Sequence, residues 1–191
     1  MKAVLISIQP KYCELIASGK KTIEVRKTRP KIETPFKCYI YCTEKALLTK
    51  SHCDGHIYVA PKKKYKKALE NAGNITLSGK VIGEFVCDRI DEYNTSWLDG
   101  EDRLLETTCL DDAEIMDYMD GYLDKRFCGW RISDLKIYDK PKKISEFRKP
   151  CPYGDLPCWS CPSCDKDGND NLIQCFNTVS RPPQSWCYVE E

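Results

Sequence analysis

The sequence predicts an α+β fold, a small twisted mixed β-barrel with peripheral helices, and three observations point to it. Strand candidates outnumber helix candidates, most are only five or six residues long, and they do not alternate regularly with helices. A doubly wound parallel sheet would need that alternation. At 191 residues the chain fits one domain with an elaboration.

The elements follow in order. Val4-Leu5-Ile6-Ser7-Ile8 gives a strand over 3–8. Pro10 then stands where a first helical turn needs no amide proton, and Tyr12, Leu15 and Ile16 recur at helical spacing, which predicts a helix over 10–18. Gly19 suits its left-handed terminator. Further strands are expected at 22–26, 38–42, 56–60, 80–87, 135–139 and 185–189. Helices are expected at 62–72, where Lys63, Lys66 and Lys67 share a side, and at 111–120, with a turn near 145–148. Asp111 and Asp112 suit the positive end of the second of these helices. The closing strand follows Arg181-Pro182-Pro183, a rigid turn from which Arg181 could reach a cleft.

The richest segment is Gly19-Lys20-Lys21-Thr22-Ile23-Glu24-Val25-Arg26. Strand alternation puts Ile23 and Val25 on a buried face and displays Thr22, Glu24 and Arg26 on the other, with Lys21 at the entrance. A hydroxyl, a carboxylate and two cations in a row can grip a phosphate or sugar edge while accepting from a base amino group. Trp130 is the expected stacking partner for such a base, ahead of Tyr12.

Gly19, Lys21, Glu24 and Arg26 form a G-x-K-x-x-E-x-R pattern that resembles the signature of the ASCH domains, relatives of the PUA RNA-binding domains. Strand, helix, glycine and charged strand also resemble the opening of that family. Gly79–Phe85 and Gly129–Leu135 look like its later strands. The resemblance covers 1–149 and returns at 184–190. It implies a PUA-like barrel that binds RNA, a nucleotide or a modified nucleoside; Lys21, Thr22, Glu24 and Arg26 are the expected contacts, with Trp130 for stacking and Arg181 as a further candidate. One branch of the family hydrolyses N4-acylated cytidines with a Lys, a Thr nucleophile and a Glu, so an amidohydrolase using Lys21 and Glu24 is the alternative. Lys21 matches that lysine, but Glu24 stands at the nucleophile position, and a carboxylate does not replace an attacking hydroxyl. Thr22 is one strand repeat away, about 7 Å.

Composition sets the outer limits. Thirty Lys and Arg against 29 Asp and Glu leave a formal charge of +1, which excludes polyanion binding by bulk charge alone. The basic residues cluster at 20–31, 62–67 and 136–149, the acidic ones between 88 and 124. Two histidines make a His-based triad improbable, and G-x-S-x-G, G-x-G-x-x-G and P-loop patterns are missing. No run reaches the roughly 20 apolar residues that span a bilayer, and the apolar stretch 3–8 is too short for a secretory signal. A reducing, cytoplasmic setting without membrane contact is the expectation.

There the 13 cysteines are thiols or metal ligands. Cys13, Cys38, Cys42, Cys87, Cys109 and Cys187 sit singly in helix or strand patterns, as small core hydrophobes do. Residues 150–176 differ, being rich in Pro, Gly, Asp and Cys and poor in apolar side chains. Cys158 and Cys161 have chelating spacing, and Cys151 and Cys175 complete a four-sulfur set for a structural zinc, with Cys164 as the substitute ligand. An iron–sulfur cluster is the second choice. The partition is therefore a barrel over 1–149, a cysteine-rich, zinc-stapled insertion over 150–176 and a closing strand within 177–191.

Overall fold

β1 (Lys2–Ile8) is buried at every residue but its first because both of its faces are covered. Val4, Ile6 and Ile8 enter one core with Phe36, Cys38, Ile40, Phe85 and Trp130, while Ala3 and Leu5 enter a second with Tyr39, Tyr41, Phe147 and Val189. The period of two covers both faces of β1, and pairing with a strand on each side places it inside a sheet. The computed structural model describes residues 2–97, 102–121, 124–151, 164–167, 169, 172–175 and 177–190.

α1 (Pro10–Ala17) starts at Pro10, buries Cys13 and Ile16 against the first core and stops before Gly19, whose φ is 75°. β2 (Ile23–Arg26), β3 (Phe36–Cys42), β4 (Leu47–Lys50) and β5 (Ile57–Ala60) follow. A short 3₁₀ turn at Lys63–Tyr65 leads into α2 (Lys66–Asn71), then β6 (Ile75–Thr76) and β7 (Val81–Asn94). α3 (Asp102–Thr108) and α4 (Asp112–Tyr118) precede β8 (Arg126–Lys142), β9 (Cys164–Lys166), β10 (Leu172–Cys175) and β11 (Trp186–Glu190). Asp111 caps α4 through a capping box with Glu114.

The main sheet has six strands in the order β11-β1-β3-β7-β8-β2. β1 and β3 are parallel and the other pairs antiparallel. A three-stranded sheet, β5-β4-β6, packs beside α1, and β9 and β10 form a separate ribbon. The expected closed barrel is not formed. Among the described residues β2 and β11 end the main sheet, and side chains instead of a backbone ladder span between them. Arg26 donates to the Ser7 carbonyl at 2.6 Å, Trp186 Nε1 donates to Thr28 Oγ1 at 3.2 Å, and the Lys31 amide donates to Tyr188 Oη at 2.6 Å.

β7 and β8 are far longer than their apolar segments suggest, 14 and 17 residues. Their register shifts between Val81 and Gly83, Glu84 and Val86, and Cys87 and Ile90. Each shift resets which residues face inward, so simple alternation fades although pairing continues. The segments flanking 150–176 are tied together: the Lys149 amide donates to Asn177 O at 2.8 Å and the Val179 amide to Phe147 O at 2.8 Å. Cys158 and Cys161 lie outside the described residues, and of Cys175 only the backbone is described.

Gly83 marks the tightest approach in the sheet. A Cβ there would lie 2.5 Å from the Lys136 carbonyl oxygen and 3.1 Å from Ile137 Cα, both backbone atoms. Gly83→Ala is expected to destabilise the fold by roughly 1–3 kcal/mol in urea unfolding. An unchanged midpoint would show that β7 and β8 are not held this closely.

Candidate nucleotide site at the charged strand

The segment 19–26 does not display its charges; it buries them. Lys21, Glu24 and Arg26 are 2%, 6% and 6% exposed. For Lys21 the local reason is the docking of α3 on the start of β2; Glu24 and Arg26 lie on the other face of the strand, with Ser7, Tyr12 and Thr43. The Thr22 amide donates to Thr107 O at 2.9 Å, and Lys21 Nζ donates to Thr108 O at 2.6 Å. Thr108 ends α3, where helix carbonyls lack intrahelical partners and carry partial negative charge, so an ammonium is well placed there.

Glu24 sits between two cations. Its Oε1 is 3.0 Å from an Arg26 nitrogen and its Oε2 is 3.5 Å from Lys21 Nζ. The second approach is ionic without being a hydrogen bond, so Glu24 Oε2 and Arg26 Nε are both buried with no hydrogen-bond partner. Buried polar atoms are nearly always paired, so an acceptor and a donor left without partners mark this part of β2 as unusual.

Both residues line a cavity of about 720 Å³, a volume typical of small-molecule sites. Ser7 and Gln9 from the end of β1, Tyr12 from α1, Thr43 to Lys45 after β3, Glu114 and Tyr118 from α4, and Pro182 to Ser185 before β11 complete its walls. Tyr12 and Tyr118 are half-buried, with Lys21 Nζ 5.2 Å from the first ring and Lys27 Nζ 5.4 Å from the second. Burial, and then the Glu114 carboxylate, push the Tyr12 phenol above its ordinary value, so it is a neutral donor at pH 7. A hydrogen bond from Lys11 holds the Glu114 carboxyl below its usual range. Cys13, behind the cavity, is no nucleophile, because complete burial pushes its thiol well up.

The expected site residues divide. Lys21, Glu24 and Arg26 come together as the cavity floor. Thr22 does not join them: it is exposed on the opposite side of β2, in a groove of about 630 Å³ shared with Arg89, Arg103 and Arg131. The pairing of its carbonyl with the Ile132 amide fixes that orientation. Trp130 is not a stacking platform. It is 0% exposed in the first core, edge-on to Phe36 at 5.8 Å, so neither ring face is open to a ligand. Arg181 is exposed and outside the cavity walls, although the four residues after it line them. Sequence reasoning missed Ser7, Thr43 and the wall from α4. Ser7 carries a signal: it is the one polar residue in the apolar run of β1, and it donates to Pro183 O at 2.6 Å. Among the described residues no three His, Cys, Asp or Glu side chains gather as metal ligands.

An open mixed sheet with a helical wall and a buried Lys-Glu-Arg floor defines the class, an α+β domain with a polar small-molecule cavity at the mouth of β2. Residues 6–97 match the family model of the ASCH domain, a span that includes Gly19, Lys21, Glu24 and Arg26. The ASCH protein of Zymomonas mobilis superposes with a TM-score of 0.56 at 17% identity, over 99% of this chain and 88% of that one. A point variant of the same Zymomonas mobilis protein gives 0.57 at 16% identity, over 99% and 89%. At these identities the likeness establishes the fold. No curated protein sequence matches the chain.

Glu24→Gln leaves two buried cations without a counter-charge. It is expected to cost about 3–5 kcal/mol in urea unfolding at pH 7, a cost that a solvated strand face would not show. A loss below about 1 kcal/mol would mean that water screens the triad.

Proposed function

We propose that the chain binds a nucleotide or nucleic-acid base, an RNA or modified-nucleoside base in the first place, in the cavity above Lys21, Glu24 and Arg26. The observation that carries this reading is the unpaired buried edge formed by Glu24 Oε2 and Arg26 Nε. A carboxylate acceptor beside a guanidinium donor complements a base that offers an exocyclic amino group next to a carbonyl or ring nitrogen. Tyr12 and Tyr118 supply ring faces for stacking in place of Trp130. Ser7, Gln9 and Gln184 add side-chain groups suited to a ribose. The match of residues 6–97 to the ASCH domain model supports the same substrate class.

Hydrolysis of an N-acylated nucleoside by Lys21 and Glu24 is less well supported. The ammonium is already bonded to Thr108 O, and the carboxylate lies between two cations. A single panel tests both readings. Nucleosides, their 5′-monophosphates and N4-acetylcytidine are titrated by calorimetry, and each is recovered for chromatography. Binding of at least one, with every compound recovered intact, is expected. Arg26→Lys keeps the charge but removes Nε and the planar fork, and should weaken that binding about tenfold or more. Equal affinity in the variant would take the ligand away from Arg26, and release of acetate would replace the binding reading with the hydrolytic one.

We also propose a structural zinc in the cysteine-rich insertion. Cys158 and Cys161 would supply the chelating pair, joined by Cys175 and either Cys151 or Cys164. The register of the β9–β10 ribbon pairs Cys164 directly with Cys175, which favours Cys164 in that set. Few apolar side chains are available there to offset the cost of ordering the chain, and thiolate coordination can supply on the order of 10 kcal/mol. Elemental analysis of protein purified without chelator should give one zinc per chain. Protein free of zinc and iron would remove the staple, and iron with acid-labile sulfide would replace it with a cluster.

A further inference from the structure

The cavity can recognise a base, but it cannot by itself attract a polyanion. Lys21, Arg26 and Lys45 in its walls face four carboxylates, those of Glu24, Glu44, Glu114 and Asp117. The cations that could draw in a phosphate backbone stand just outside. In the β4–β5 hairpin the last registered pair is Leu47 with Ala60. Lys45 and Lys62 follow at the same end of the hairpin, two residues beyond that pair on their respective strands. Lys45 is a wall of the cavity, and Lys62 opens the run Lys62-Lys63-Lys64-Tyr65-Lys66-Lys67.

That run combines two features. All five lysines are exposed, and among the described residues none is ion-paired with a carboxylate, whereas Lys11, Lys27, Lys50, Arg89 and Arg131 all are. At its centre Tyr65, 43% exposed, is the only large apolar side chain left open to solvent among the described residues. Tyr65 ends the 3₁₀ turn Lys63–Tyr65 just before α2, and Lys64 Nζ lies 5.4 Å from its ring centre. An exposed aromatic ring inside a set of uncompensated cations has the composition of a single-strand contact, in which the ring stacks a base and the ammonium groups neutralise phosphates.

We infer that Lys62–Lys67 is a second contact surface for a polynucleotide whose recognised base occupies the cavity. The partner is then a single-stranded polynucleotide that runs from the Glu24–Arg26 floor past Lys45 onto Tyr65, and not a free nucleotide. The inference rests on the cavity reading above and deepens it. Single-strandedness follows from the geometry, since a base in the cavity and a base on Tyr65 must both be unstacked from their neighbours.

The test compares the mononucleotide that binds best with a single-stranded oligonucleotide of about eight residues containing it, a length within known single-strand site sizes. Anisotropy or calorimetry is run over a range of salt for the wild type, for Tyr65→Ala, and for a variant combining Lys63→Ala, Lys64→Ala, Lys66→Ala and Lys67→Ala. These side chains are exposed, so thermal unfolding should not change. The oligonucleotide should bind wild-type protein at least tenfold more tightly than the mononucleotide, with a log–log salt slope near −2 if about three phosphates are neutralised. The lysine variant should lose most of that slope, Tyr65→Ala should lose about fivefold or more in oligonucleotide affinity, and mononucleotide binding should be the same in all three proteins. An oligonucleotide no tighter than the mononucleotide, or a slope unchanged in the lysine variant, overturns the inference and leaves the cavity reading standing. Oligonucleotide binding that depends on the lysines while every mononucleotide fails to bind supports the surface and removes the cavity reading.

Discussion

The ion triad Lys21–Glu24–Arg26 is the interaction on which the site, and much of the sheet's geometry, depends. Each member ties β2 to a different part of the molecule. Lys21 reaches the carbonyl end of α3, Arg26 reaches the Ser7 carbonyl of β1, and Glu24 holds both cations on one strand face. Desolvating three charges is expensive, and a hydrophobic substitute would often be as stable. What the apolar substitute lacks is the unpaired edge at Glu24 Oε2 and Arg26 Nε. We therefore propose that the triad serves binding as well as the closing of the sheet.

That closure explains how a barrel-like arrangement arises without a continuous ladder. Among the described residues β2 and β11 end the main sheet, yet Trp186 and Tyr188 of β11 meet Thr28 and Lys31 just beyond β2, and Arg26 of β2 reaches Ser7 of β1. The cavity opens where backbone pairing stops, between the start of β2 and the chain entering β11. Its walls come from segments far apart in sequence because it lies at a gap in the sheet instead of along one element.

The sequence made some of this legible and concealed the rest for identifiable reasons. The bounds of α1 followed from Pro10 and Gly19, since each residue restricts or frees the backbone in one way only. The charged strand was visible because Glu24 and Arg26 alternate onto one face, but alternation does not say whether that face meets solvent. The burial of Lys21 came from α3, whose short helical segment at 102–108 carries little periodic signal and was not anticipated. Trp130 was misplaced because an aromatic residue near a charged strand looks the same in sequence whether it turns to the cavity or to the core. Thr22 lies just outside β2, so extending strand alternation to it assigned the wrong side. The length of β7 and β8 was hidden by bulges, which break period-two patterning while hydrogen bonding continues.

The central claim is that the free edge of the triad meets a nucleobase, and the most direct measurement is a crystal structure of the protein soaked with the nucleoside monophosphate that binds best. The account predicts a base in the cavity, its donor and acceptor about 3 Å from Glu24 Oε2 and Arg26 Nε, and its ring against Tyr12 or Tyr118. A ligand found instead in the groove of Thr22, Arg89, Arg103 and Arg131, with the triad untouched, would contradict it.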